Sequence, residues 1–276
     1  MRLYLPAAPV AAGAPLVVLM HGCGQDAAHF AVESGWTALA NRLGFPLVLP
    51  EQAAENNRHH CFRWFRAEDT ARGRGEAGSI AAMTRAARTR FRSDRRRVFV
   101  AGLSAGGAMA AAMMASYPEL FAAGAVVAGL PVGAASSMLD ALARMAGGGP
   151  ELDPAEWAAR ARRLAPANFR SAWPRLSVWQ GTEDQVVAPV NAAVLAAQWR
   201  ALNGLPDIPD EDSYVAGARH QVWAGGGGRP GLELWTVPGL GHGYPIGTGA
   251  DGRASAHTIP SGVPATTWIA RFWGLV

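Results

Sequence analysis

Three residues suited to nucleophilic catalysis are spread along this chain. Ser104 sits in Gly102-Leu103-Ser104-Ala105-Gly106, Asp184 in Gly181-Thr182-Glu183-Asp184, and His242 between Gly241 and Gly243. A serine hydroxyl is a poor nucleophile near neutral pH. It needs an imidazole in hydrogen-bond reach, and the imidazole needs a carboxylate to fix its tautomer. In that scheme His242 takes the proton of Ser104 and returns it to a leaving alcohol. Asp184 orients the ring and stabilises its charged form. The intermediate is an acyl-enzyme on Ser104, cleared by water, and the chemistry calls for no metal or organic cofactor.

The order serine, acid, histidine is that of α/β-hydrolases rather than of chymotrypsin-like or subtilisin-like proteases. Taken alone, the serine motif also fits a glycine-rich junction with a surface serine. Its flanks favour the catalytic reading. Val98-Phe99-Val100 runs into it and an Ala/Met-rich stretch follows, Gly107 to Ser116, so the context reads strand, sharp turn, helix. Such a turn brings backbones close, and positions 102, 105, 106 and 107 are all Gly or Ala. The helix N-terminus there favours a developing oxyanion. Farther upstream, the apolar run Leu16 to Met20 ends in His21-Gly22-Cys23-Gly24-Gln25-Asp26. That loop, after an early buried strand, makes the N–H of Cys23 the candidate oxyanion donor, with the N–H of Ala105 as the second.

Other acids and histidines fit less well. Asp184 is preferred to Glu183 because its spacing from Gly181 puts it at the loop tip. His220 reads as half of a strand or hairpin, His257 lies in a late polar loop, and His21 reads as structural in the oxyanion loop.

The elements that must position these groups follow from apolar pattern and breakers. Leu3 to Leu5 reads as a short edge strand, and Leu16–Met20, Pro46–Leu49, the run from Val98 into the serine motif, Ala123–Gly129 and Leu176–Gln180 as buried strands. Leu232–Val237 alternates as a final strand. Helices are expected over Ser34–Leu43 (stopped by Gly44), Glu76–Phe91, Gly107–Ser116, Pro189 to about Asn203, and Thr266–Trp273. Glu51 to Gly75 reads as a long polar loop carrying Cys61-Phe62-Arg63-Trp64-Phe65. Its aromatics either wall an acyl pocket or pack the loop onto the core. Leu130 to Pro174 reads as a helical insertion near the site, divided at Gly147-Gly148-Gly149-Pro150 and too poor in apolar residues for its own core. Together these give one α/β domain over 1–276, with a mostly parallel sheet and helices on both faces.

Composition bounds the rest. The chain has 276 residues, half of them hydrophobic and 17% charged, with a formal charge of +4 and arginine as its only strong base. No apolar run is long enough to span a membrane, and no signal peptide is visible at the N-terminus. Seven arginines between Arg85 and Arg97 lack a nucleic-acid motif and read as a solvated helix face and loop, so no nucleic-acid partner is expected. Cys23 and Cys61 can form at most one bridge, and neither has metal-ligand spacing.

A set of motifs runs through most of the chain. It comprises His21-Gly22-Cys23-Gly24-Gln25, Pro50-Glu51-Gln52, Cys61-Phe62-Arg63-Trp64-Phe65, Gly75-Glu76 with Ile80, and Gly102-Leu103-Ser104-Ala105-Gly106-Gly107-Ala108-Met109. Tyr117-Pro118, Gly129-Leu130-Pro131, and Trp179-Gln180-Gly181-Thr182 with Asp184, Val187 and Asn191 complete it. The set resembles the poly(3-hydroxybutyrate) depolymerase family of esterases, to which feruloyl and acetylxylan esterases are related. The resemblance implies an α/β-hydrolase fold, the triad Ser104, Asp184 and His242, and a Cys23–Cys61 disulfide. It also implies Trp64 as a substrate-wall residue and leans toward a secreted location; Gln25 and Tyr244 are further substrate-binding candidates. The chain departs from the family's secreted members in showing neither signal peptide nor polymer-adsorption domain. Gly243-Tyr244-Pro245 after His242 also departs from the usual aromatic and glycine pair. Short hydroxyalkanoate oligomers or small esters are therefore the expected substrates, with a feruloyl or acetylxylan esterase as the alternative. An acyltransferase, or a non-catalytic binding protein on the same scaffold, is a further alternative.

Overall fold

Leu16–Met20, Val98–Leu103 and Ala123–Val127 are buried at every position. Strands with two dry faces belong inside a parallel sheet covered on both sides. That is their place in the computed structural model, which describes residues 1–247 and 252–276.

The chain begins with β1 (Arg2–Tyr4), β2 (Leu16–Met20), α1 (Ala27–Glu33), α2 (Trp36–Leu43) and β3 (Leu47–Leu49). It continues through α3 (Ala67–Thr70), α4 (Gly75–Phe91), β4 (Val98–Leu103), α5 (Ala105–Ser116) and β5 (Ala123–Val127). Next come α6 (Met138–Met145), α7 (Pro154–Arg162), β6 (Arg175–Gly181) and α8 (Val190–Asn203). The last part holds β7 (Glu211–Val215), β8 (Ala218–Ala224), β9 (Pro230–Val237), β10 (Tyr244–Ile246), β11 (Thr258–Pro260) and α9 (Ala265–Trp273).

Across the main sheet the order is β1-β3-β2-β4-β5-β6-β9-β8-β7. Neighbours from β3 through β9 are parallel, while β1 pairs antiparallel with β3, and β8 antiparallel with both β9 and β7. Alternate strand residues feed two cores. Leu16, Val18 and Met20 pack with residues of α4, α5, α7 and α8; Val17 and Leu19 pack with α1, α2 and α9. Because β2, β4, β6 and β9 run the same way, the loops holding His21, Ser104, Asp184 and His242 leave from one edge of the sheet.

Several elements differ from the pattern-based expectation. The helix expected over Ser34–Leu43 begins only at Trp36, after Gly35 with φ +81°, and an unexpected helix, α1, precedes it. Asp26 starts α1, accepting the N–H groups of Ala28 and His29. The long loop from Glu51 to Gly75 contains α3, a single turn. β9 is not the last strand: β10 and β11 pair as a separate parallel ribbon. Three-residue strands leave no readable period. The exposed β7 hairpins with β8 although none of its first four residues is buried. In the insertion, α6 and α7 fall on either side of Gly147–Pro150 as expected. However, Trp157, Ala158 and Ala161 of α7 belong to the main core, and the Gln198 side chain on α8 bonds both Val132 and the Trp157 carbonyl. The insertion is thus built into the body.

A buried polar stitch crosses three strands. Glu233 on β9 accepts from Ser177 Oγ on β6 at 2.6 Å and from His220 Nε2 on β8 at 2.8 Å. Ser177 in turn accepts from Trp179 Nε1 at 2.7 Å, and the rings of His220, Trp235 and Trp179 stack in sequence. Removing the carboxylate takes the acceptor from buried Ser177 and partly buried His220, and breaking such a pair is costly. We expect Glu233→Ala to lower stability by about 3 kcal/mol in urea unfolding; a loss under about 1 kcal/mol would show that the stitch contributes little.

Candidate active site

The turn at Ser104 is tight enough to dictate its neighbours. Ser104 holds φ +56° and ψ −120°, a conformation costly for a residue with a side chain. A Cβ on Gly102 would sit 2.2 Å from the Gly106 carbonyl oxygen, and one on Gly106 only 2.4 Å from those of Met20 and His21. Bare backbone at both positions lets β4, α5 and the end of β2 meet. The strained residue is tied on both sides: its N–H donates to Val127 O, and its carbonyl accepts from Ala108 N, each at 2.9 Å.

The other two groups come from neighbouring loops. His242 follows β9, and its Nδ1 lies 2.8 Å from Asp184 Oδ2 while its Nε2 lies 3.0 Å from Ser104 Oγ. With the Nδ1 proton donated to the carboxylate, Nε2 keeps its lone pair for the serine hydroxyl. Asp184 is buried, and each of its oxygens is engaged. Oδ1 accepts the N–H groups of Val186 and Val187 at 2.9 and 2.8 Å, and Oδ2 also accepts Gln180 Nε2 at 3.0 Å. Burial pushes its pKa up, but the bonds from His242, Val187 and Val186 outweigh that and hold it below the usual carboxylate range. Asp184 is therefore an anion facing the ring at neutral pH.

The other histidines considered from the sequence lie in other parts of the fold. His220 belongs to the sheet stitch. The carbonyl of His257 accepts the N–H of Tyr244 at 2.8 Å. His21 is fully buried; Nδ1 donates to Gly22 O at 2.7 Å and Nε2 accepts the Gln52 N–H at 3.2 Å. Burial lowers its pKa, so it is a neutral brace inside its loop.

That loop abuts the serine: a Cβ on Gly22 would lie 3.5 Å from Ser104 Cβ. The N–H groups of Cys23 and Ala105 have no hydrogen-bond partner among the described residues. Two free amides beside a nucleophile are the parts of an oxyanion hole. The sulfurs of Cys23 and Cys61 are bonded, linking this loop to the aromatic one. Closing a 38-residue separation restricts the unfolded chain by about 4 kcal/mol in the loop-entropy account.

The substrate-binding expectations need correction. Tyr244 is fully buried; its hydroxyl accepts from Trp36 Nε1 at 3.0 Å and meets Thr266 Oγ1 at 2.9 Å, so it is a core residue with no face toward a ligand. Gln25 directs its Oε1 to the Gly22 N–H at 2.8 Å, which shapes the oxyanion loop. Trp64 is 8% exposed and packs edge-on to Phe65 within the core, which favours the packing role for the aromatic loop.

Sequence reasoning also missed two supports. One is Gln180, whose amide donates to Asp184 Oδ2 and Val187 O and so steadies the acid loop. The other is Glu76, whose carboxylate accepts from the Gln52 side chain and from Arg63 N–H. Gln52 also bonds Cys61 O and, through its own N–H, His21. Glu76 therefore braces both loops bridged by the disulfide. Burial drives its pKa up to about 7. Gln180, Gln52 and Glu76 all lie within the recurring motifs, but nothing in the sequence says which partner each meets.

Over residues 1–221 the chain matches the family described as esterase PHB depolymerase. It belongs to that family. Poly(3-hydroxyalkanoate) depolymerase C of Paucimonas lemoignei is 39% identical over 269 residues, covering 96% of this chain and 64% of that protein. An acetylxylan esterase of Coprinopsis cinerea is 32% identical over 236 residues, covering 83% of this chain and 62% of the relative. The chain thus spans a little under two thirds of either relative. The solved structure of an acetyl xylan esterase from Aspergillus awamori covers 99% of this chain and 93% of its own, with a TM-score of 0.82 at 22% identity. The fold is that of the α/β-hydrolases. The family match stops before His242, so the assignment of that residue rests on geometry.

Two outcomes follow. Gly106→Ala must push apart β2 and α5, and we expect at least a hundredfold loss of activity with a lowered melting temperature. An unchanged melting curve and rate would contradict the close approach. Glu76 titrates higher in the folded protein than the ordinary carboxylate near 4.5. Its unfolded form therefore loses its proton first, and stability falls as pH rises from about 4.5 to about 7. Urea midpoints across that window should flatten in Glu76→Gln.

Proposed function

We propose that this chain is a serine carboxylic-ester hydrolase of the polyhydroxybutyrate depolymerase type, cleaving short hydroxyalkanoate oligomers or small esters. The observation that carries the reading is the unbroken line from Asp184 Oδ2 through His242 to Ser104 Oγ, with steps of 2.8 and 3.0 Å. Ser104 Oγ attacks the ester carbonyl as its proton passes to His242 Nε2. The N–H groups of Cys23 and Ala105 receive the oxyanion, and Asp184 stabilises the imidazolium. His242 then protonates the departing alcohol, leaving the acyl group on Ser104. Water, deprotonated by the same nitrogen, repeats the steps and releases the acid.

A purely binding role has no use for an orienting carboxylate, a fixed tautomer and free amides gathered at one strained serine. The ester is an external substrate, small or oligomeric. The bridge between Cys23 and Cys61 favours an oxidising compartment and hence secretion. Among the described residues, no helix is long and apolar enough to cross a membrane.

The relatives named for acetylxylan esterase activity support a second substrate class on the same machinery. Hydrolysis of short p-nitrophenyl esters tests the reaction. We expect Ser104→Ala to abolish it to the solvent background, and Asp184→Asn to lower kcat by about 10⁴ through loss of the productive tautomer. Wild-type rates in Ser104→Ala would remove the proposal. A panel of hydroxybutyrate oligomers, methyl ferulate and acetylated xylan then separates the classes by kcat/KM.

A further inference from the structure

The arginine run before β4 is not uniform. Arg85 lies 3.5 Å from the Glu119 carboxylate and over the Tyr117 ring, so its charge is matched on the helix face. Arg96 and Arg97, at the end of the run, have no carboxylate partner among the described residues. They open into a cavity of about 770 Å³ whose wall also carries Arg175 and Arg229. These four arginines come from three separate parts of the chain: the turn entering β4, the start of β6, and the turn entering β9. All lie where parallel strands begin, at the edge opposite Ser104, Asp184 and His242.

Among the described residues, no aspartate or glutamate lines this cavity. Arg175 is the anchored member. It donates to the Phe272 carbonyl at 2.6 Å, at the C-terminal end of α9, and to Pro230 O at 3.4 Å. Burial first, and then the nearby charge of Arg229, weigh against its protonated form. Glu233 is the carboxylate that favours its charge, but both Glu233 oxygens are taken by Ser177 and His220. Like charges on one concave wall raise the potential there; Glu233 offsets it at Arg175 without lining the cavity. The guanidinium fork suits planar oxyanions, and Phe121 and Trp173 add an apolar wall. The volume falls within that of small-molecule sites.

We infer that this cavity is a binding site for a small multivalent oxyanion, held by Arg96, Arg97, Arg175 and Arg229 and distinct from the ester-cleaving centre. Carboxylate and phosphate share the recognition chemistry. The ligand bridges guanidiniums from the three chain segments and relieves their mutual repulsion, while its body rests on Trp173 and Phe121.

Isothermal titration at constant ionic strength, with pyrophosphate and with benzene-1,2,4-tricarboxylate, tests the inference. The wild type should bind at least one of them saturably with one site per chain. The double variant Arg96→Gln with Arg229→Gln should bind about tenfold or more weakly, and its hydrolysis of p-nitrophenyl esters should match the wild type. Binding of pyrophosphate alone assigns a phosphorylated ligand, of the tricarboxylate alone an organic acid, and of both the shared chemistry. No saturable binding to either compound at millimolar concentration overturns the inference, as does equal affinity in the variant. Both mutated residues lie on turns, and a melting curve like that of the wild type verifies the variant's fold.

Discussion

The close approach of three backbones at one point governs this molecule. Gly106 rests against the carbonyls of Met20 and His21, and Gly102 against the carbonyl of Gly106, at distances no Cβ could tolerate. That contact sets the separation of β2, β4 and α5, holds Ser104 in its strained turn, and brings the loop after β2 beside the hydroxyl. The strain is tolerated because hydrogen bonds to Val127 and Ala108 and the fully buried α5 allow no other path. Parallel strand direction does the rest, delivering the acid and the base to the same edge.

Around that point, the loops are held by partners of their own. Asp184 is surrounded by donors, so its charge is stabilised despite burial. The oxyanion loop is held from within by His21 and Gln25 and from outside by the disulfide and by Glu76 through Gln52. None of these supports needs to touch substrate. Preorganised amides gain their catalytic value from not having to move when charge develops, which is the physical reason for such a frame.

The two edges of the sheet differ in charge management. At the edge with Ser104 a carboxylate, an imidazole and unpaired amides meet one hydroxyl, the arrangement that the proposed hydrolysis uses. At the other edge, four arginines line a cavity to which the proposed hydrolytic steps assign no task. The proposed catalytic site and the inferred anion site therefore lie where each can be perturbed separately.

Much of this was legible in the amino-acid order, because local rules wrote it. Unbroken apolar runs specify doubly buried strands, Gly-x-Ser-x-Gly between a strand and an Ala-rich stretch specifies the elbow, and the order of Ser104, Asp184 and His242 matches one fold's loops. Where a residue's role depended on which distant atom it met, the sequence was silent. Tyr244 reads as a substrate-binding candidate, yet it is turned inward to Trp36 and Thr266. Gln25 and Trp64 read as ligand contacts and proved to be engaged within the protein. The three-residue strands, the supports Gln180 and Glu76, and the convergence of Arg96, Arg97, Arg175 and Arg229 needed the tertiary structure. Periodicity and turn chemistry are encoded over a few neighbouring residues, whereas burial and hydrogen-bond pairing across as many as 232 positions are decided by packing alone.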